Sequence, residues 1–220
     1  MENIKNEDVD IVAISCSPSK GFNSDTMLDN FISGINEFGK VTSEKFYLND
    51  IKIDHYNYNN RLGPTNEETD FNNLCQKIMK AKALVIATPT YNFGVPAQLK
   101  NFIDRIRFLA LDFKNKSRIG QPSGMLGHLR VYFIVSGGTP TLVQKLLFFA
   151  FPPFWLRGVF LYFGSHCLGA IYTGNVNACK DQNILNTCKK RGFKFAKQVE
   201  SGKENDILER IFFRPPQSHT

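Results

Sequence analysis

A chain of 220 residues with 42% hydrophobic and 21% charged residues is long enough to bury one substantial core and too apolar for a disordered protein. The formal net charge of +7 suggests nucleic-acid binding, but the basic residues are scattered and only one short group clusters: Arg105, Arg107, Lys114, Lys116 and Arg118. We interpret that group as a solvated helix end, so no nucleic-acid partner is expected, and a basic surface also suits phosphate-bearing ligands.

The five cysteines argue against metal and disulfide frameworks. They form no CxxC pair, and one of them would stay unpaired under full oxidation. Zinc, iron–sulfur and disulfide frameworks are therefore poorly supported, and a reducing, cytoplasmic location is expected. The first eight residues are polar and carry three acids, so we expect no signal peptide to start there.

Five strand-like apolar runs alternate with helical stretches along the chain. The predicted strands are 9–14, 41–48, 83–87, 129–135 and 167–172, and the predicted helices are about 24–38, 67–81, 96–111, 140–164 and 181–200. This alternation predicts the α/β class: a flavodoxin-like, doubly wound, five-stranded parallel sheet with helices on both faces. One domain is expected over residues 1–200, followed by a C-terminal tail over 201–220.

The loop after the first predicted strand is rich in hydroxyl and amide groups. It lies just before a helix, whose free N–H groups and partial positive charge favour a bound phosphate. The candidate phosphate ligands from this loop are Ser15, Ser17, Ser19, Lys20, Asn23 and Ser24. The alternative is an ordinary strand-to-helix turn in which Ser24 is the N-cap of the helix.

Two further loops follow the third and fourth predicted strands. The first contains Pro89, Thr90, Tyr91, Asn92 and Phe93, and its aromatic side chains and backbone amides suit a planar heteroaromatic ring. The second contains Ser136, Gly137 and Gly138, where a backbone can approach a ligand closely; Thr139 is the expected N-cap and Pro140 the expected first residue of the next helix. Three such loops at neighbouring strand ends predict a binding site.

The long polar connection over residues 49–67 is open to two interpretations. It contains the run Asp54-His55-Tyr56-Asn57-Tyr58-Asn59-Asn60 and is either a lid over the site or ordinary surface coil.

Taken together, these motifs resemble the flavodoxin-like NAD(P)H-dependent FMN reductases, including their iron–sulfur flavoprotein branch. The resemblance rests on Ser-Pro-Ser-Lys at 17–20 with Asn23-Ser24, on Thr-Pro-Thr-Tyr at 88–91, on Pro-Ala-Gln-Leu-Lys-Asn at 96–101 and on Ile-Asp-Arg at 103–105. It is strong over the first half of the chain and weak around the fourth strand and its loop.

The resemblance implies an enzyme that binds FMN and uses NADPH or NADH as co-substrate. Ser17, Ser19, Lys20, Asn23 and Ser24 would hold the phosphate, residues 89–93 would line the isoalloxazine, and residues 136–138 would approach its other side. Electrons would pass through FMN to a small-molecule acceptor: a quinone, nitroaromatic, azo compound or flavin. No acid–base pair is needed, so no side chain is assigned as catalytic.

Two departures from the family pattern stand out. The iron–sulfur branch has a cysteine cluster after the second strand, but this chain has none there, so no iron–sulfur cluster is expected. Ser19 stands where many relatives have an arginine, and Lys20 is the residue that would compensate for the lost charge. The rival function is a flavodoxin-type electron carrier, but such carriers are acidic whereas this chain is basic.

Residues 142–163 are the most apolar stretch of the chain. A membrane span is not expected, because Lys145, the Pro152-Pro153 pair and Arg157 interrupt the segment. A helix with aromatic residues on every side has more apolar surface than one sheet face can cover. We therefore predict a homodimer in which this segment contacts the partner subunit and contributes Phe154 or Trp155 to the wall above the flavin.

Overall fold

The computed structural model of the chain describes residues 8–117 and 119–204. The strands are β1 (Ile11–Ser15), β2 (Ser43–Tyr47), β3 (Ala83–Pro89), β4 (Leu111–Lys116), β5 (Pro122–Gly124), β6 (Arg130–Ser136) and β7 (His166–Thr173). The helices are α1 (Asn23–Phe38), α2 (Thr69–Lys80), α3 (Ala97–Arg105), α4 (Arg107–Ala110), α5 (Thr141–Leu146), α6 (Pro152–Tyr162) and α7 (Gln182–Glu200).

A five-stranded parallel sheet with the order β2-β1-β3-β6-β7 forms the centre of the molecule. Its central strands are continuous apolar runs because both faces are covered: β1 is buried at every position, and β3 at all positions except Pro89. One face packs against α1 and α7, and the other against α2, α3 and α6. The predicted flavodoxin-like sheet is confirmed.

The helices α1 and α7 cross at two glycines with their backbones in contact. A Cβ atom on Gly34 would lie 1.9 Å from the carbonyl oxygen of Lys189, and one on Gly192 would lie 1.9 Å from that of Phe31. Only glycine allows this approach, which brings the helix pair close enough for Phe31 and Phe195 to contact each other over the sheet, 5.6 Å between ring centroids.

The predicted helix over residues 140–164 is wrong, because the structure divides it into three pieces. These are α5, a single 3₁₀ turn (Phe148–Ala150) and α6. Pro152 and Pro153 occupy the first turn of α6, where their missing N–H groups cost nothing, and they hold Phe151 in an extended conformation. The start of α5 also differs from the prediction, since Pro140 rather than Thr139 is the N-cap.

The predicted helix over residues 96–111 is also too long. It ends at Arg105 and is followed by the short α4, after which β4 and β5 form an antiparallel ribbon that the sequence did not predict. The polar, alternating character of residues 111–116 is the signal for this edge ribbon.

The connection between β2 and α2 is fixed to α3 by a buried ion pair. The Arg105 guanidinium contacts both carboxylate oxygens of Glu68 at 2.6 and 2.8 Å, and neither side chain is exposed. Arg105 also donates to the carbonyl of Asp54 at 2.8 Å, and Asn101 accepts from the amide of Tyr56 at 2.9 Å. The interpretation of Arg105 as part of a solvated cluster is therefore wrong: it anchors the 49–67 connection.

Within the described ranges, no helix combines the length and apolar character needed to cross a bilayer. The helix α7 ends at Glu200, and residues 205–220 of the predicted tail lie outside the described part of the chain.

Candidate functional site

A cavity of about 250 Å³ lies at the carboxyl ends of β1, β3, β6 and β7, and we call it the main cavity. Parallel strands bring the loops that follow them to one edge of the sheet, which is where ligands bind in this architecture. The lining residues are Ser17, Pro18, Ser19, Phe22, Asn23, Ser24, Pro89, Thr90, Tyr91, Ser136, Gly137, Gly138 and Val176.

Ten of the fourteen candidate residues line the main cavity, and the other four are Ser15, Lys20, Asn92 and Phe93. Three lining residues were not among the candidates. Pro18 and Phe22 lie within the first loop but carry no polar side-chain group, which is why a search for phosphate ligands passes over them. Val176 follows β7. The sequence indicates its place in the cavity only in that the loop after a parallel strand must emerge at the same edge of the sheet.

Ser15 lies beneath the first loop rather than in the cavity. It is fully buried, and its hydroxyl faces the carboxylate of Asp25. That carboxylate also accepts from the backbone N–H of Gly21 at 2.7 Å and pairs with Lys45 at 2.7 Å. Burial raises the pKa of Asp25, but the Lys45 and Gly21 contacts outweigh it and lower the pKa overall. Through the Gly21 contact, the Asp25–Lys45 pair fixes the backbone of the first loop.

Lys20 points away from the main cavity. Its ammonium group pairs with Asp50 and lies 4.4 Å from the ring centroid of Tyr47. None of the lining residues is a lysine or arginine. Among the lining groups, the donors that suit a phosphate are therefore the N-terminus of α1 and neutral hydroxyl and amide groups.

The start of α1 presents unpaired donors to the cavity. The N-cap is Phe22, which makes no side-chain capping bond, so the alternative with Ser24 as N-cap is wrong. The first backbone N–H groups of a helix have no acceptor within it. The hydroxyl of Ser24 is buried and has no hydrogen-bond partner among the described residues, and the same holds for Thr90 on the opposite wall. Buried donors without acceptors fit a bound anion such as a phosphate.

The loop after β3 forms a tight turn between Tyr91 and Gly94. Their backbones exchange two hydrogen bonds, at 3.1 and 2.8 Å, and the residues between them, Asn92 and Phe93, have φ angles of 49° and 63°. Such a turn with two non-glycine residues in the left-handed region is strained. It points Phe93 away from the main cavity, against the buried ring of Phe151 at 5.4 Å between centroids.

A second cavity of about 400 Å³ lies on the far side of this turn, and we call it the aromatic cavity. It is mainly apolar and is lined by Phe93, Gly94, Val95, Lys100, Phe149, Ala150, Phe151, Pro152 and Trp155. It is a hydrophobic recess beside the main cavity and is suited to a planar aromatic molecule.

Gly137 is required by close packing on the wall formed after β6. A Cβ atom there would lie 2.9 Å from the hydroxyl oxygen of Tyr172 and 3.4 Å from Thr90. Gly138 faces more open space, so its backbone is accessible from the cavity. The main cavity thus combines a helix N-terminus, the hydroxyl groups of Ser17, Ser19 and Ser24, and the exposed backbone of Gly138. This donor set fits a planar ring that carries a phosphate.

Comparison with known proteins gives the family. The sequence profile of the family described as "NADPH-dependent FMN reductase" matches residues 9–146, which contain the loops after β1, β3 and β6. The "FMN-dependent NADH:quinone oxidoreductase" of Thiobacillus denitrificans is 42% identical over 92 residues, covering 41% of this chain and 42% of that protein. The protein of the same name from Mycoplasma pneumoniae is 33% identical over 133 residues, which cover 59% of this chain and 67% of that protein.

Solved structures of low sequence identity share the fold. An azoreductase from Bacillus anthracis superposes with a TM-score of 0.68 at 14% identity, covering 86% of this chain and 98% of that one. An FMN-dependent NADH-azoreductase from the same species, in complex with FMN, superposes with a TM-score of 0.63 at 19% identity. The superposition covers 86% of this chain and 98% of that one. Because the family profile spans more than half of the 220 residues, the chain belongs to the NADPH-dependent FMN reductase family.

Proposed function

We propose that this protein is an FMN-dependent NAD(P)H oxidoreductase that reduces a quinone, nitroaromatic, azo or flavin acceptor. The observation that carries the proposal is the buried, unpartnered hydroxyl of Ser24 at the start of α1, inside a cavity built from the three loops that the family profile covers. The names of the relatives favour a quinone as the first acceptor to test. A cytoplasmic location is part of the proposal, because all five cysteines are free thiols.

The side chains of the main cavity bind and orient rather than transfer protons. When bound, FMN supplies the hydride chemistry. The amides of α1 and the hydroxyls of Ser17, Ser19 and Ser24 would hold its phosphate, and Thr90 and Tyr91 would lie against its ring system. No lining residue is a carboxylate, histidine, lysine, arginine or cysteine, so the contribution of the protein is positioning and exclusion of water.

The competing function is a flavodoxin-type electron carrier without a substrate of its own. The aromatic cavity next to the main one favours the enzyme, because a carrier that exchanges electrons with another protein needs no recess for a small molecule.

The proposed function is tested by mixing the purified, FMN-loaded protein with NADPH or NADH under anaerobic conditions and then adding a quinone. We expect repeated turnover of the quinone; reduction of the flavin without turnover would support the carrier instead.

Replacing Ser24 by alanine is expected to weaken FMN binding at least about tenfold, because a hydrogen bond to a phosphate dianion is charge-assisted. Ser17→Ala should have a smaller effect, because the Ser17 hydroxyl donates to the carbonyl oxygen of Ser19 at 2.7 Å. Lys20→Ala is the matched control: since the Lys20 ammonium pairs with Asp50 outside the cavity, it should change the Kd less than about twofold. Fluorescence titration of the apo-protein with FMN measures all three, and equal losses in the serine and lysine variants would contradict this assignment.

A homodimer is proposed through the apolar surface of α5, the following turn and α6. Leu142, Leu146, Phe149 and Phe154 are between 51% and 70% exposed there. Contiguous apolar surface of this kind marks protein interfaces. The prediction that this segment contributes Phe154 or Trp155 to the wall above the flavin is kept, since Trp155 lines the aromatic cavity.

Sedimentation velocity tests the dimer. Wild-type protein is expected to sediment as a dimer at micromolar concentration, and Leu146→Glu with Phe149→Glu is expected to give a folded monomer. Phe151 is unsuitable for this test because it is buried between Phe93 and Tyr172, so a charge there would disrupt the fold. A wild-type monomer would remove the dimer proposal.

A further inference from the structure

A buried carboxylate lies in the first turn of α1, the helix whose start lines the main cavity. Asp25 directly follows Ser24, its side chain is almost completely buried, and it accepts from the backbone N–H of Gly21 at 2.7 Å. An ionised acid at a helix N-terminus uses the same partial positive charge that a bound phosphate would use. Asp25 therefore opposes the binding of an anion at this end of the cavity.

Lys45, on β2, is the cation that compensates this charge. Its ammonium group lies 2.7 Å from Asp25 Oδ1, also pairs with Asp29, and lies 4.5 Å from the ring centroid of Tyr47. Burial lowers the pKa of Lys45, but the contacts with Asp25 and Asp29 outweigh it and raise the pKa overall. The ammonium group therefore stays charged at neutral pH.

The other lysine next to the first loop is less effective in this role. Lys20 pairs with Asp50, and both side chains are exposed, so water and salt screen their charges. The Lys45 side chain is mostly buried, and its charge is screened less. Because no lysine or arginine lines the main cavity, the charge balance behind the start of α1 depends on Lys45.

We infer that Lys45 is a positioning residue for the phosphate: by neutralising Asp25, it allows the start of α1 to bind a dianion. The inference rests on the proposed function, since the phosphate is that of FMN. The Asp25 side chain fixes the loop through Gly21, and an uncharged amide oxygen can also accept that bond. The Lys45 charge offsets the electrostatic cost of using a carboxylate there.

This role predicts effects of opposite sign for the two partners, whereas a merely structural ion pair would lose FMN affinity when either partner is replaced. In titrations of the apo-protein, Lys45→Met should weaken FMN binding about fivefold, and Asp25→Asn should tighten it by a similar factor. The double variant Asp25→Asn/Lys45→Met should bind FMN within about twofold of wild type. Weaker FMN binding by Asp25→Asn than by wild type would overturn the inference.

The Asp25→Asn variant decides the question even if Lys45→Met does not fold. It leaves no buried charge unpaired, because Lys45 still pairs with Asp29. Lys77→Met is the matched control: Lys77 pairs at 2.7 Å with Glu44, which precedes Lys45 on β2 and points to the opposite face of the sheet. This variant should leave FMN binding unchanged, and a loss equal to that of Lys45→Met would count against a specific role of Lys45.

Riboflavin separates an effect on the phosphate from damage to the ring site, because it has the same ring system and no phosphate. The Lys45 and Asp25 variants should bind riboflavin within about twofold of wild type, since a neutral ligand gains little from the charge balance. Equal changes for riboflavin and FMN would contradict the inference. Wild type that binds neither flavin would reject the proposed function together with this role of Lys45. Wild type that binds FMN no more tightly than riboflavin would reject the role of Lys45 alone.

Discussion

Replacing Arg105 by alanine is expected to lower the free energy of unfolding by about 3–5 kcal/mol, because it leaves the buried Glu68 carboxylate without its counter-ion. The side chains of both residues are completely buried, and the pair also fixes the backbone of the β2–α2 connection through Asp54 and Gly63. Urea or guanidinium unfolding followed by circular dichroism measures the loss.

A neighbouring residue provides the control for this prediction. Glu67 pairs with Lys52 at 2.6 Å, but its side chain is 78% exposed. Exposed ion pairs contribute little because water screens them, so Glu67→Gln should leave the unfolding midpoint in denaturant nearly unchanged. Similar losses for Arg105→Ala and Glu67→Gln would show that burial of the Arg105–Glu68 pair does not matter.

The same ion pair predicts how stability depends on pH. Burial raises the pKa of Glu68, but Arg105 and the amides of Thr65 and Asp54 outweigh it and bring the pKa from 4.5 to about 2. Because folding lowers this pKa, the carboxylate stabilises the fold above pH 4.5, and that contribution is lost as the pH falls from 4.5 towards 2. A Glu68→Gln variant should lack this part of the acid-induced loss of stability.

Replacing Gly192 by alanine is expected to destabilise the protein by about 3 kcal/mol, although alanine is the better helix former. The added methyl group would lie 1.9 Å from the carbonyl oxygen of Phe31, which belongs to a helix backbone and cannot move aside alone. The two helices would have to separate, and the contacts of Phe31 with Tyr132 and Phe195 would loosen. The unfolding midpoint in denaturant measures this effect.

Gly158 offers the matched control in another helix. It lies in the interior of α6, and nothing lies within 4 Å of a Cβ atom placed there. Gly158→Ala should therefore stabilise the protein by roughly 0.5–1 kcal/mol through helix propensity alone. If both glycine variants shift stability in the same direction, the close crossing of α1 and α7 is not what requires Gly192.

The two glycines at the crossing of α1 and α7, Gly34 and Gly192, connect the fold to the site. The crossing holds α1 against α7, and the first residue of α1 is the one that bonds to the β7–α7 connection. A Gly192 variant that still folds should therefore show weaker FMN binding, because α1 and the connection no longer meet at the same distance.

The amino-acid sequence was enough to predict the α/β architecture, the five parallel strands and three of the loops that line the main cavity. These features depend on local signals: apolar runs long enough for buried strands, and glycine, proline and hydroxyl residues at their ends. The same signals mark ten of the residues that line the main cavity. Local signals were enough there because parallel strands bring their carboxyl ends to one edge whatever the details of packing.

The tertiary structure alone decided the roles that depend on distant partners. Sequence reasoning assigned Lys20 to the phosphate and Arg105 to solvent, yet Lys20 pairs with Asp50, 30 residues away, and Arg105 pairs with Glu68, 37 residues away. A charged side chain takes the partner that the fold brings near it, and periodicity in a sequence carries no information about that partner. For the same physical reason Asn23 and Val176, 153 residues apart, form one wall only in the folded chain.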